Sequence, residues 1–338
     1  MTKGFLLVAY VFFFTIGLFQ NCHDGRLESG DKINGVNYSG PPKKITQTQF
    51  ATVKKINPSW ISIIPFSYLS KKNSPILIMN PDWQWWGETK QGCIELIRYA
   101  RKENLKVMLK PQIWVFDQTF TGKIEMSSEN DWQTFENGYT KYLLQYASLA
   151  DSLNIEMLCV GTELHLFVQK RPDYWSSLLK KIRKVYSGKL TYAENWDQYE
   201  NCPFWSKLDY IGVDAYFPLS SEKEPVFEEL IRAWKPYKNR LSTFSKKYKK
   251  KVLFTEYGYR SVDFAVKEPW NSSVTYPFNQ QNQANAYKAI YDTFWKEEWF
   301  AGGFLWKWFP YSLKEKDRSF SPQGKIGIET VQHYYNKN

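Results

Sequence analysis

The sequence predicts a (β/α)8 TIM barrel in a single domain, on three observations. Eight short apolar runs recur along the chain, and most are followed by a stretch with apolar residues at helical spacing. The runs end on acidic, amide or aromatic residues, as strands do when their C-terminal ends form a barrel mouth. With 338 residues and 43% apolar content, the chain can bury one barrel-sized core, and no internal repeat or Gly/Ser or Pro linker divides it.

The N-terminus reads as an export signal. Lys3 precedes an apolar stretch from Gly4 to Phe19, which is shorter than the roughly 20 residues that span a bilayer and leads directly into Gln20-Asn21-Cys22. A cysteine at that place resembles a bacterial lipoprotein processing site, so residues 1–22 are expected to be a signal peptide with Cys22 as the lipidated residue. The chain is then expected to be exported to the cell envelope and held at the membrane by a lipid. Asn21 stands where a small residue is usual, and plain secretion or an uncleaved anchor stay open as alternatives. Residues 23–32 form a polar tether, and residues 33–336 are expected to be the barrel domain.

The eight strand candidates are Ile33 to Tyr38, Trp60 to Phe66, Lys106 to Gln112, Glu156 to Thr162, Leu190 to Asn195, Tyr210 to Tyr216, Val252 to Tyr257 and Gly303 to Trp308. Amphipathic stretches such as Gly92 to Glu103 and Trp132 to Leu153 fill the gaps, and strands alternating with helices indicate a parallel sheet. No glycine-rich phosphate loop follows the first strand, which argues against a doubly wound sheet.

At the strand ends stand Asn37, Phe66, Lys110 with Gln112, Glu163, Asn195 with Trp196, Asp214 with Tyr216, Glu256, and Trp306 with Trp308. At roughly 30 residues per strand-helix unit, Glu163 and Glu256 fall three units apart, which places them across the mouth of an eight-stranded ring. Two carboxylates in different environments can protonate a leaving oxygen and attack or stabilise an anomeric carbon, and hydrolysis of a glycosidic bond needs no cofactor. Aromatic residues make up 18% of the chain, with 15 Trp. Most fill the core, but Trp83, Trp85 and Trp86 beside Asp82 and Gln84, and Trp114 beyond Gln112, offer flat faces on which sugar rings stack.

Other chemistries have little material. His23, His165 and His333 are the three histidines, and no His/Cys cluster has metal-ligand spacing, so neither a zinc site nor a Ser-His triad is expected. His165, two residues past Glu163, can line the site or pack behind it. The net charge of +11 raises nucleic acid as a partner, but the densest basic run, Lys246-Lys247-Tyr248-Lys249-Lys250-Lys251, precedes the strand ending in Glu256 and belongs on the opposite face of the barrel. Beyond Cys22, the cysteines are Cys93, Cys159 and Cys202, which allow at most one disulfide and require none. A monomer is expected.

The residues at strands four, six, seven and eight resemble clan A of the glycoside hydrolases. Within it, Gly161-Thr162-Glu163-Leu164, Asp214-Ala215-Tyr216-Phe217-Pro218-Leu219, Thr255-Glu256-Tyr257-Gly258 and Phe320-Ser321-Pro322-Gln323-Gly324-Lys325 are similar to family 113, whose described members are endo-acting β-1,4-mannanases. The resemblance runs from about Ile33 to Tyr335. It implies a retaining mechanism with Glu163 as general acid/base and Glu256 as nucleophile, Tyr216 hydrogen-bonded to the nucleophile, and Trp306 as the floor beneath the sugar. Thr162 departs from the pattern, since most of the clan has Asn there to bond the sugar's 2-hydroxyl, and Asn195 is a candidate to supply the missing amide. Three functions stand at this stage: a retaining endo-mannanase, a retaining β-glycosidase of another sugar or of exo action, and a glycan-binding lipoprotein without activity.

Overall fold

The computed structural model describes Met1 and residues 31–337. Cys22 and the expected signal lie outside them. Eight parallel strands close into a barrel: β1 (Ile33–Tyr38), β2 (Trp60–Ile63), β3 (Lys106–Leu109), β4 (Met157–Thr162), β5 (Lys189–Asn195), β6 (Ile211–Asp214), β7 (Val252–Tyr257) and β8 (Phe300–Trp308). Each pairs with its sequence neighbours, and β8 closes the ring on β1. The helices are α1 (Gln47–Ala51), α2 (Lys90–Lys102), α3 (Glu129–Ser152), α4 (His165–Lys170), α5 (Pro172–Val185), α6 (Phe227–Tyr248), α7 (Gln280–Phe294) and α8 (Gly327–Lys337). The connection after β4 carries two helices, whereas that after β5 carries only 3-10 turns.

Helix starts follow local chemistry. Thr89, Ser128 and Asn279 cap α2, α3 and α7 by accepting a backbone N–H with their side-chain oxygens. On α3, Trp132, Phe135, Tyr139, Tyr142, Leu143 and Tyr146 recur at helical spacing and are buried against the sheet. Their rings join a shell between strands and helices in which Tyr139, Phe167, Trp175, Tyr192 and Phe204 touch one another. This shell accounts for much of the aromatic content.

Two expected strands end earlier than their apolar runs. Pro65 and Pro111 lack an N–H for the ladder, so β2 stops at Ile63 and β3 at Leu109. The chain then resumes as a separate two-stranded ribbon, Phe66–Leu69 paired with Gln112–Val115, which raises one wall above the mouth. Tyr142 of α3 fixes the break by donating to the carbonyls of both Pro65 and Gln112 at 3.0 Å. The eighth strand begins earlier than expected, at Phe300, and Gly302 at φ +116° brings its backbone against Ile33, where a Cβ would lie 2.4 Å from a carbonyl oxygen.

The barrel interior is layered. Ile33, Met108, Met157, Cys159, Ala193, Leu253, Ala301 and Phe304 form an apolar plug. The next residues along several of these strands are polar and buried, among them Asn37, Lys110, Asp214 and Thr255. Lys250 and Lys251 lead into β7 at its N-terminal end, so the basic run lies on the face away from the mouth. Cys93, Cys159 and Cys202 are free and buried. Among the described residues no helix is long and apolar enough to cross a membrane, and no cluster of His, Cys, Asp or Glu is arranged to hold a metal ion.

Candidate active site

Both glutamates follow irregularities in their strands. The β6–β7 register slips between Phe254 and Glu256, and the β4–β5 register slips between Cys159 and Thr162. A bulge re-aims the side chains beyond it, and here one stands before each carboxylate. Glu163 itself adopts φ +51°, the left-handed region that a non-glycine residue seldom takes, and its N–H donates to Ala193 O at 2.7 Å.

Glu256 is held on every side. Its Oε1 accepts from the Lys110 ammonium and from Gln112 Nε2 at 3.2 Å, and its Oε2 accepts from the Tyr216 hydroxyl at 2.8 Å. Behind it, Lys110 Nζ lies 3.7 Å from Asp214 Oδ1, which also accepts from Thr255 Oγ1 at 2.7 Å. Burial alone lowers the Lys110 ammonium, but Asp214 and Glu256 outweigh it and hold the group charged. Burial, then the charge of Glu256, pushes Asp214 up to about 7. Asp214 Oδ2 has no hydrogen-bond partner among the described residues.

Glu163 is placed differently. Part of the residue is open to solvent, and no described side chain donates to its carboxyl. Burial, followed by the negative charges of Asp214 and Glu256, raises it well above the ordinary carboxylate range against the pull of Lys110. The neighbouring Thr162 Oγ1 is buried without a hydrogen-bond partner among the described residues, as is Oε2 of Glu194, whose carboxyl burial pushes up to about 8.

The other expected residues divide into three groups. Lys110, Asp214 and Asn37 are fully buried beneath the mouth, and Asn37 gives its amide to the carbonyls of Thr255 and Phe304 at 3.1 and 3.2 Å. These groups position the wall and Glu256. Gln112, Tyr216, Trp306, Asn195 and Trp196 stand at the strand ends, where Lys110 Nζ approaches the Trp306 ring to 5.9 Å and Trp196 stacks on exposed Trp270 at 5.3 Å. Asn195 accepts the Trp196 N–H with its Oδ1 at 3.0 Å, leaving its amide nitrogen free of described acceptors. The rim forms the third group. Trp114 follows Gln112 on the same face of the ribbon, because Ile113 and Val115 are the buried alternates, and it is 51% exposed. Trp85 is also exposed, Trp83 packs on Tyr68 and Phe116, and Trp86 lies against the core.

Sequence reasoning assigned no role to three residues. Gly258 lets Trp306 approach β7, since a Cβ there would lie 2.5 Å from Trp306 O. Lys307, joined to Trp306 by a cis peptide bond, and Glu88, which follows Trp86-Gly87, flank the end of β1. A cation set between two tryptophans in Trp306-Lys307-Trp308 was the available signal for Lys307.

The fold has close relatives among solved structures. A β-1,4-mannanase of family 113, solved as a complex, superposes with a TM-score of 0.80 at 24% identity over 91% of this chain and 100% of that one. The family 113 β-mannanase AaManA from Alicyclobacillus acidocaldarius, in complex with ManMIm, gives a TM-score of 0.80 at 22% identity over 91% of this chain and 98% of that one. A β-glucuronidase from an uncultured Clostridium sp. is more distant, with a TM-score of 0.64 at 14% identity, covering 91% of this chain and 51% of that one. No protein of curated function matches. The sequence profile described as Glycoside Hydrolase Family 113 matches residues 42–325, so the chain belongs to that family and is a glycoside hydrolase acting on a glycan.

Proposed function

We propose that the protein is a retaining endo-β-1,4-mannanase working by double displacement. The observation that carries the mechanism is the unequal treatment of its two glutamates. Glu256, oriented by Lys110, Gln112 and Tyr216, is the nucleophile that attacks the anomeric carbon, and Glu163, without side-chain donors among the described residues and raised in its titration, is the acid that protonates the departing glycosidic oxygen. The bond from the anomeric carbon to the leaving oxygen breaks as the bond to Glu256 forms. Glu163 then takes a proton from water as the water oxygen bonds to the anomeric carbon and the bond to Glu256 breaks, which releases the sugar with its configuration retained and restores both carboxyl groups.

Mannan as the substrate rests on the family and on the fold shared with β-1,4-mannanases. Trp306 serves as the floor beneath the sugar at the cleaved bond. Trp114, exposed on the raised ribbon, supplies a stacking face further along the chain and so favours attack within a polymer. Product profiles on mannan, glucomannan, cellulose and galactan test this reading. Short oligosaccharides released early from mannan and glucomannan are expected. Cleavage confined to another polymer, or release of monosaccharide alone from chain ends, would replace it with a β-glycosidase of different specificity.

The same proposal includes export and lipid attachment at Cys22. Residues 23–32 would then link Cys22 to the barrel's first strand, which starts at Ile33 on the face opposite the mouth. A diacylglycerol adduct on Cys22, found by mass spectrometry of membrane-extracted protein, is the expected result, and an unmodified mature N-terminus elsewhere would refute it.

A further inference from the structure

Lys307 is half-buried, and its ammonium has no ion-pair partner among the described residues. Its Nζ lies 4.9 Å from the Trp306 ring centroid and 5.2 Å from that of Phe309. No described carboxylate comes within 4.0 Å of it, and it makes no hydrogen bond to a described residue. A half-buried cation set against two rings gains from them, but aromatic faces do not satisfy its three N–H donors. The carboxylates near enough to act on its charge are Glu256 and Glu88.

Glu88 is built as the complementary half. Its Oε2 accepts from the Tyr68 hydroxyl at 2.6 Å, and Gln84 Nε2 donates to its backbone carbonyl at 3.0 Å, so the side chain is fixed in place. Oε1 takes no hydrogen bond from a described residue. The two groups both lie near the end of β1. Ser39 N–H donates to the carbonyl of Trp308, the residue after Lys307, and Gly40 is glycine because a Cβ there would lie 2.9 Å from Glu88 Cγ. The ammonium thus lies against the Trp306 ring and the Glu88 carboxylate near the same end of β1, each with hydrogen-bonding capacity left over. A hydroxyl group is both acceptor and donor, and it completes such a pair. A carboxylate would satisfy Lys307 but meet Glu88 and Glu256.

We propose that Glu88 and Lys307 form a hydroxyl clamp for the sugar ring seated on Trp306, in which the ammonium donates to a ring hydroxyl and Glu88 Oε1 accepts from that hydroxyl or its neighbour. The ligand class is a neutral pyranose with those hydroxyls free, and an acylated or uronic sugar is disfavoured there. This assignment rests on the reading of Trp306 as the floor of the site.

The test compares wild type, Glu88→Gln and Lys307→Gln on an aryl β-mannoside and on its singly deoxygenated analogues. Wild type is expected to lose about 10- to 100-fold in kcat/KM on the analogue lacking the clamped hydroxyl, the scale of a hydrogen bond to a charged group. In both variants that discrimination should shrink toward that of the other analogues. Comparing variants with wild type on one substrate cancels the analogue's own reactivity. Tyr68→Phe, which removes only the anchor of Glu88, should keep most of the discrimination. A uniform loss on every substrate, or unchanged discrimination in both variants, overturns the clamp. Should aryl β-mannosides resist the wild type while another aryl β-glycoside is cleaved, mannan specificity fails, and the same comparison on deoxygenated forms of that sugar still decides the clamp.

Discussion

Glu256 and Glu163 end strands of one barrel, but their surroundings differ in kind. The β3, β6 and β7 side holds Glu256 with an ammonium, an amide and a hydroxyl, and Lys110 and Asp214 lie buried behind it. Among the described residues, the β4 and β5 side offers Glu163 no side-chain donor, gives it a left-handed backbone, and leaves Thr162 Oγ1 and Glu194 Oε2 unpartnered nearby. A carboxylate that must attack along one line gains from fixed oxygens and donors that stabilise its charge. A group that gives up and regains a proton gains from burial, which raises its titration. The sequence presents two similar residues, and the neighbours divide their labour.

The largest effect expected from this contrast is asymmetric rescue. Glu256→Ala should lose activity on every substrate, beyond the about 10²- to 10⁴-fold loss typical of a missing general acid. Glu163→Ala should lose within that range on mannan but keep the first step with an activated aryl leaving group, and azide should then restore turnover with a β-mannosyl azide product. Rates and product stereochemistry, followed by NMR, check both. Azide rescue of Glu256→Ala with inverted product is compatible, but a β product from that variant would reverse the assignment.

Next in size is the buried support. Lys110→Met leaves Glu256 and Asp214 as uncompensated neighbours and should cost about 3 to 5 kcal/mol of unfolding free energy, measured by denaturant titration. A loss within 1 kcal/mol, with activity retained, would show the Glu256 side to be less interdependent than its contacts suggest. Tyr216→Phe removes one hydrogen bond to a charged acceptor and should lower kcat/KM about 10- to 100-fold while leaving the fold intact, as thermal unfolding would report.

Much of this arrangement was legible before any coordinates. The alternation of apolar runs with amphipathic stretches gave the barrel, since parallel strands buried on both faces must be apolar throughout and their polar ends must lie at the mouth. What escaped was set by geometry outside the strand period. Pro65 and Pro111 marked the ends of β2 and β3, yet the apolar runs continue through them because the ribbon above the barrel is itself half-buried. Asn37, Lys110 and Asp214 read as mouth residues, but they lie one layer down, where an extra residue at a bulge changes what reaches the opening. Lys307 and Glu88 belong to different units and both lie near the end of β1 only because the ring closes there.

The smallest expected effect is the most direct reading of Glu163's surroundings. Its carboxyl is raised above the ordinary range in the folded protein, so the fold binds this proton more tightly than the unfolded chain does. The stability linked to that proton is fully present below the unfolded value, near pH 4, and is lost as the pH rises through the folded one. Glu163→Gln carries no titrating proton. Its stability relative to wild type should therefore be constant in acid and climb with rising pH, by at most about 1.4 kcal/mol per pH unit for one proton, until the folded group has ionised. Thermal unfolding of both proteins across that range measures the difference, and the alkaline limb of wild-type kcat/KM should fall over the same interval. A difference that stays flat with pH would mean that Glu163 is no better protonated folded than unfolded, and the contrast between the two sides of the mouth would fail at its weaker end.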